Sequence, residues 1–473
     1  MLALLVAVSI AGRLLLLTAR PPWHDEIFTA WASRMPTAGL VEALRLDSGP
    51  PLFYLLERPF ARAADATGRD TLLRVLPFLA ALALFAAAGT LPRGARGWWI
   101  ALTACFALVN LYAAEARAYS LLAVLCLFLF ALALDGEERP RRLAALGAVG
   151  ALALWTHYLA LIAVAAALVL ALAQKRRRSA LALAAALLAF APWIPVLLAQ
   201  PPSAMAWLLD PPARALPGFL SALGGVGRIP SPFGPPVPQA LFAASLAAGA
   251  VLTALVFRAT KDDTPGRLAA LFVFLVLALS LAASVWRPIA FAGRSEMAVL
   301  AVWIWAVARA AARDRQVRMA AGAAAALGLA ATLLVVAGPH PRPTTSTAVG
   351  SLARLARPGD AVLAGPGFYL PARLAADRGR LAASVASLPE GDAAHPGWFV
   401  AWPLAEPDVR HALRLAAGLP PGGRLFLLLP PAYNSPALMT PLGERGRLRE
   451  IARQDDGVLT VWEQSQVRDS GGP

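Results

Sequence analysis

The stretch PPWHDEIFTAW, residues 21–31, sets His24, Asp25 and Glu26 directly behind a long apolar run. Three further short stretches carry groups of matching chemistry. YAAEARAYS supplies Tyr112, Glu115, Arg117 and Tyr119; WTHY supplies Thr156, His157 and Tyr158; WRPIAFAGRSE supplies Arg287, Arg294 and Glu296. A fourth, DSGPPLFYLLERPF (47–60), adds Tyr54. Carboxylates beside Arg, His and Tyr donors suit transfer of a group away from phosphate. One carboxylate takes the proton of a hydroxyl acceptor, and cations and phenols stabilise the departing phosphate anion. Such a leaving group needs little protonation, so no dedicated acid is required.

Each of these residues also has a plainer role open to it. Asp25 and Glu26 suit the N-terminus of a helix running from about Ile27. Glu115 and Arg117 could form an interfacial ion pair, Tyr112, Tyr119 and Tyr158 an aromatic belt, and His157 a satisfied packing residue. His24 with the adjacent acids could hold Mg²⁺ or Mn²⁺ through waters, although no spacing demands a metal.

The elements that must position these groups are membrane helices. The chain has 473 residues, 58% hydrophobic and 15% charged, with mean hydropathy +0.61. That is more apolar surface than a soluble core needs, and it lies almost wholly before residue 338. Runs long enough to cross a bilayer predict eleven spans: 2–18, 71–91, 98–114, 118–134, 143–158, 159–173, 180–198, 238–257, 268–286, 297–311 and 317–337. The first reads as a span rather than a cleaved signal, because its start lacks charge and no small-residue cleavage site follows. Arg13 within it is expected to snorkel. Cys105 and Cys126 sit in apolar runs and read as small packing residues.

The net charge of +15 follows topology rather than nucleic acid. Links 92–97, 135–142, 174–179, 258–267 and 309–318 hold 16 Lys/Arg in 40 residues, whereas 20–70 and 199–236 hold 8 in 89. Excess Lys/Arg marks the cytoplasmic side. All five basic links share one side only if 115–117 and the point near His157 are true turns. The N-terminus then lies inside, and loop 20–70, both short turns, the 287–296 link and everything after 338 lie outside. Ionisable groups gathered at that depth point to function.

After the Pro-rich GPHPRPTTST the texture changes. DAVLAG (360–365), GWFVAW (397–402), RLFLLLP (424–430) and GVLTVWE (457–463) read as strands between helical segments. They predict a small extracytoplasmic α/β domain over 338–473 with a largely parallel sheet, following a membrane domain over 1–337. GPGFYLP (365–371) reads as a turn after a strand.

HDEIFTAW, PPLFYLL, EARAYSLL and THYLALI, in that order and on one side, resemble the polytopic glycosyltransferases of the GT-C class. They are most similar to the bacterial relatives of protein O-mannosyltransferases and of the lipid A aminoarabinose transferase. The resemblance spans roughly residues 1–310. It implies a polyprenyl-phosphate-linked sugar donor, inverting transfer and a lipid, glycan or protein acceptor. Asp25 then resembles the acceptor-activating base, with Glu26 its partner. Glu115, Arg117, Tyr119, His157, Tyr158 and Arg294 border the donor phosphate or sugar, and His24 and Tyr54 are further candidates. The sequence departs from relatives that carry a polar residue before the Pro pair, because Gly49 stands there.

The composition, rich in Ala, Arg and Pro, suggests a bacterial inner-membrane protein. Two other readings remain open: a flippase of lipid-linked sugars, which would need charged or broken helices at the midplane, and a non-catalytic scaffold with an outer binding domain. The charge bias gives a direct test. Cysteines placed in loop 20–70 or in the tail are expected to react with an impermeant maleimide from outside, and cysteines at 175–178 are not. Tail labelling only after permeabilisation would contradict the odd number of spans.

Overall fold

The computed structural model describes residues 2–134, 138–201, 212–230, 233–286, 288–340, 344–393, 404–454 and 457–464. A helical segment stands at each of the eleven expected positions. Six segments are long and apolar enough to cross a membrane: Leu2–Ala19, Asp70–Thr90, Arg177–Ala199, Gln239–Ala259, Thr264–Ala283 and Arg315–Ala337. Shorter apolar helices cover Tyr119–Ala133, Leu159–Ala173 and Leu300–Ala311. The two links too short for hydropathy to find are real breaks, at 113–118 and 157–158. Loop 20–70 is helical as well. After α1 (Leu2–Ala19) come α2 (His24–Arg34), α3 (Thr37–Arg45) and α4 (Leu52–Thr67). α4 closes on Gly68 at φ +67°, the left-handed cap that glycine adopts without strain.

Arg13 does not snorkel. It is fully buried, and the reason is a helix break. The helix Arg93–Cys105 stops at Phe106 and resumes as Ala107–Tyr112. Inside a bilayer the carbonyls so released must find donors. Arg13 Nη2 donates to Thr103 O (3.1 Å), Asn110 Nδ2 to Ala104 O (2.9 Å), and Arg13 Nε to Asn110 Oδ1 (2.8 Å). Cys105 and Cys126 are buried free thiols, as expected.

Small residues let backbones meet at one crossing. A Cβ on Gly249 would lie 1.9 Å from Leu220 O, and one on Gly224 1.9 Å from Ser245 O. The helix Ala215–Leu223 therefore packs on Gln239–Ala259 almost backbone to backbone, and Trp303 Nε1 donates to its terminal Leu223 O at 2.9 Å.

The C-terminal sheet domain has five strands: β1 (Ala361–Ala364), β2 (Ser384–Ser387), β3 (Arg424–Leu429), β4 (Gly446–Gln454) and β5 (Gly457–Gln464). Their order is β2-β1-β3-β5-β4. Alternation buries both faces: Val362, Phe426 and Leu459 on one, Leu363, Leu425 and Trp462 on the other. Three expected strands are present, and GWFVAW lies outside the described residues. The sheet is mixed rather than largely parallel: β1 pairs parallel with β2 and β3, but β5 pairs antiparallel with β3 and β4. β2 is short and weakly apolar and β4 is a charged edge strand, so neither carries the apolar run that marks a buried strand. Residues 366–368 of GPGFYLP form the expected turn.

This domain is bolted to loop 20–70. Arg378 meets Asp70 at 2.5 Å and Asp65 at 3.0 Å, Arg34 also pairs with Asp65, and Arg380 donates to Gly68 O at 2.9 Å.

The glycine crossing predicts opposite effects of one methyl group. Gly249→Ala should lower the thermal midpoint in detergent, an overpacking cost of about 1–3 kcal/mol. Gly322→Ala, where a Cβ meets nothing within 4 Å, should raise it by up to about 1 kcal/mol of helix propensity.

Candidate active site

The helix that carries the acid pair begins at His24, three residues earlier than expected, with extended Trp23 as its N-cap. This register separates the two acids. Glu26 occupies the third position and accepts from the Trp23 backbone N–H at 3.2 Å. It also takes Arg20 Nη1 at 2.6 Å, Arg74 Nε at 2.7 Å and Nη2 at 2.8 Å, and the Ala116 N–H at 3.0 Å. Burial alone would push this carboxyl up, but Arg20, Arg74 and the hydrogen bonds hold it down at about 2. Glu26 is thus the filled centre of a cluster joining the end of α1, α2, the turn Asp70–Arg74 and the 113–118 turn.

Asp25 points elsewhere. It is 0% exposed, and neither oxygen has a hydrogen-bond partner among the described residues. Arg294 Nη2 lies 3.5 Å from Oδ2 and Arg117 Nε 3.8 Å from it. Asp25 is the counter-ion of two guanidinium groups without being tightly held by either. Both carboxylate oxygens of Glu115, also buried, likewise lack hydrogen bonds. Burial raises its carboxyl to about 7 against the pull of Arg294 and Arg20.

Arg117 and Arg294 reach from opposite turns. Arg294 is presented by a turn that Glu296 holds, accepting the Gly293 N–H at 2.9 Å, while Tyr112 Oη donates to Gly293 O at 2.5 Å. Gly293 has φ +91°, and a Cβ there would strike Arg228 O at 2.3 Å. The Arg294 guanidinium lies over Trp23, Tyr119 and Phe291. Tyr119 packs against His157 with ring centroids 5.3 Å apart and planes tilted by 45°. His157 Nδ1 accepts from the Leu159 N–H at 3.2 Å, so the neutral imidazole carries its proton on Nε2. Tyr158 Oη accepts from Trp193 Nε1 at 2.9 Å and Gln200 Nε2 at 2.8 Å.

These groups surround a cavity of about 270 Å³. Of the sequence candidates, Tyr54, Arg117, Tyr119, His157, Tyr158 and Arg294 line it; His24, Asp25, Glu26 and Glu115 do not. One wall is apolar, built from Leu159, Ile162, Leu197, Ile289 and Phe291. Sequence reading missed Arg20, Arg74, whose partner Glu26 is remote in the chain, and Asp47 and Gln200, which also line the cavity. Arg287 lies outside the described residues. Among the described residues no group of three or more His, Cys, Asp or Glu could hold a metal ion. Glu26, spent on two arginines, does not stand with Asp25 as the expected pair.

No family model and no curated protein matches the chain. The solved structures similar to it include two of ArnT. The crystal structure of ArnT from Cupriavidus metallidurans in the apo state aligns over 97% of both chains with TM-score 0.62 at 14% identity. The structure of ArnT from the same organism bound to undecaprenyl phosphate aligns over 100% of this chain and 99% of that one, with TM-score 0.57 at 15% identity. At these identities the likeness is one of fold, and it is the GT-C-like fold that the sequence motifs resemble.

The two acids should part company in stability. Glu26→Gln leaves Arg20 and Arg74 buried without a counter-charge, a loss of about 3–5 kcal/mol; Asp25→Asn breaks no hydrogen bond, and its two arginines stay partly exposed at the cavity, so it should lose clearly less. Because the Glu26 carboxyl is depressed in the folded state, its contribution is present above the ordinary value of 4.5 and is lost as pH falls through about 2. Melting curves of parent and Glu26→Gln should therefore converge as pH is lowered across that window.

Proposed function

We propose that the chain is a GT-C type glycosyltransferase that moves a sugar from a polyprenyl phosphate carrier to an extracytoplasmic acceptor with inversion. The observation that carries this reading is the cavity itself. Two arginines with a single shared buried carboxylate face a space whose other wall is apolar, which suits an amphiphile with an anionic head. The undecaprenyl phosphate bound by the similar ArnT structure is a molecule of that kind. Loop 20–70 and the 113–119, 157–158 and 289–296 segments would then face outward, as the Lys/Arg distribution predicts.

In the mechanism, Arg117 and Arg294 bind the donor phosphate by charge-assisted hydrogen bonds. Tyr119 and the Nε2–H of His157 add neutral donors. Drawing both guanidinium groups onto phosphate removes them from Asp25 and frees its carboxylate. Asp25 then accepts the proton of an acceptor hydroxyl, whose oxygen attacks the anomeric carbon from the face opposite the phosphate. The bond from that carbon to the phosphate oxygen breaks, and its electron pair stays on the phosphate, where the two arginines stabilise it.

The role of Asp25 separates from its packing by assay. Asp25→Asn should fold and bind undecaprenyl phosphate at least as tightly as the parent, since the arginines lose a competing anion, yet turn over roughly 10²–10⁴-fold more slowly. Arg117→Ala should weaken carrier binding, and Arg117→Lys should restore it only in part because the fork geometry is lost. A folded Asp25→Asn protein working within a few-fold of the parent would refute the base assignment. Unchanged carrier affinity in Arg117→Ala and His157→Ala together would refute the phosphate site.

A further inference from the structure

Among the described residues the cavity has one carboxylate on its wall, and it is not Asp25. Asp47 follows α3 in the bend 46–48, just before the Pro50–Pro51 start of α4. It is 2% exposed, and its Oδ1 has no hydrogen-bond partner among the described residues. Burying a carboxylate oxygen without a donor costs free energy that the fold does not return. Glu26 shows how this chain satisfies a carboxylate meant for structure, with four donor groups around it; Asp47 receives nothing comparable. The local backbone is fixed all the same. Asp47 N–H donates to Leu44 O at 3.3 Å, Leu44 O also accepts Gln200 Nε2 at 2.8 Å, and Gln200 holds the cavity residue Tyr158. The bend is tied to the cavity wall, and its acid is left open toward the space.

An ionised carboxylate only accepts hydrogen bonds, so the missing partner must bring donors. It must also fit beside Arg117, whose charge Asp47 reinforces, and beside an anion site that Asp47 would repel. A sugar phosphate has this polarity: an anionic end for the arginines and hydroxyl donors a few ångströms away. Resting on the glycosyltransferase reading above, we propose that Asp47 is a specificity-determining residue that accepts hydrogen bonds from ring hydroxyls of the carrier-linked sugar while Arg117 and Arg294 hold its phosphate. Gly49 offers no side chain here, so the sugar is read from this loop by Asp47, Ser48 and the Tyr54 hydroxyl.

The test compares two kinds of probe on the detergent-solubilised full chain: undecaprenyl phosphate alone, and the same carrier bearing glucose, mannose or arabinose. The parent should bind at least one glycosylated carrier about tenfold or more tightly than the bare one, the scale of a hydrogen bond to a charged group. Asp47→Ala should abolish that preference while the bare-carrier affinity holds or rises, since no hydrogen bond to phosphate is lost and a negative charge near Arg117 is removed. Asp47→Asn, which keeps an acceptor oxygen and the side-chain volume, should fold like the parent and retain part of the preference. A merely structural role would move both affinities together. Equal affinity of the parent for bare and glycosylated carriers, parallel losses for both in the variants, or a loss confined to the acceptor's KM would each overturn the assignment. If the parent binds neither carrier, the glycosyltransferase reading itself falls; if bare carrier binds through Arg117 but the variants leave sugar preference intact, only the role of Asp47 falls.

Discussion

The buried ionic cluster around Glu26 is the constraint on which the rest of the cavity end of the bundle depends. One carboxylate gathers two arginines and two backbone N–H groups from four separate chain segments. Such a cluster is costly to desolvate and tolerable only when every member is paired. Its value is therefore positional. It fixes where α2 starts, and the start of α2 decides where the preceding residue of the helix points. Asp25 is turned toward Arg117 and Arg294 because Glu26 is turned toward Arg20 and Arg74.

The second arrangement is the inverse of the first. Where Glu26 is saturated, Asp25 has two arginines at 3.5 and 3.8 Å and no hydrogen bond. A loosely held ion pair in a buried site is easily reorganised by a ligand that competes for one partner. In the proposed function, phosphate is that competitor. In the proposed reaction this links binding to activation, since the donor's arrival leaves the base unpaired next to the bond that breaks. Glu115, whose carboxyl burial raises to about 7, is a second buried acid near the arginines without a hydrogen bond among the described residues.

Rigidity around the cavity comes from the helix breaks. The turn 291–296 is held by Glu296, Tyr112 and Gly293, and the break at Phe106 is repaired by Arg13 and Asn110 deep in the bundle. The sheet domain reaches the same region from the other side, where Arg378 and Arg380 grip the end of α4 and the turn after it. Loop 20–70, which supplies Asp25, Asp47 and Tyr54, is thus clamped between the membrane helices and the C-terminal domain.

Much of this was legible in the residues. Hydropathy and Lys/Arg bias located the helical segments, including the breaks at 113–118 and 157–158, because lipid and topology act on composition directly. The motifs around Arg117, His157 and Arg294 named groups that do line one cavity. Partnership was not legible. WHDE offers two adjacent carboxylates of equal standing, and only the approach of Arg74, 48 residues along the chain from Glu26, makes one structural and leaves the other open. Arg13 read as a snorkelling residue because its partner, a broken helix, is invisible to hydropathy. Asp47 was not singled out, because its burial and its place on the cavity wall beside Gln200 come from segments far apart in the chain. The sequence by itself determined which segments form apolar helices and which chemistry gathers at one end of them, since those follow from local composition. Only the tertiary structure decided which acid is spent on structure, which faces the arginines and which faces the cavity, because that choice is set by long-range pairing of buried charges.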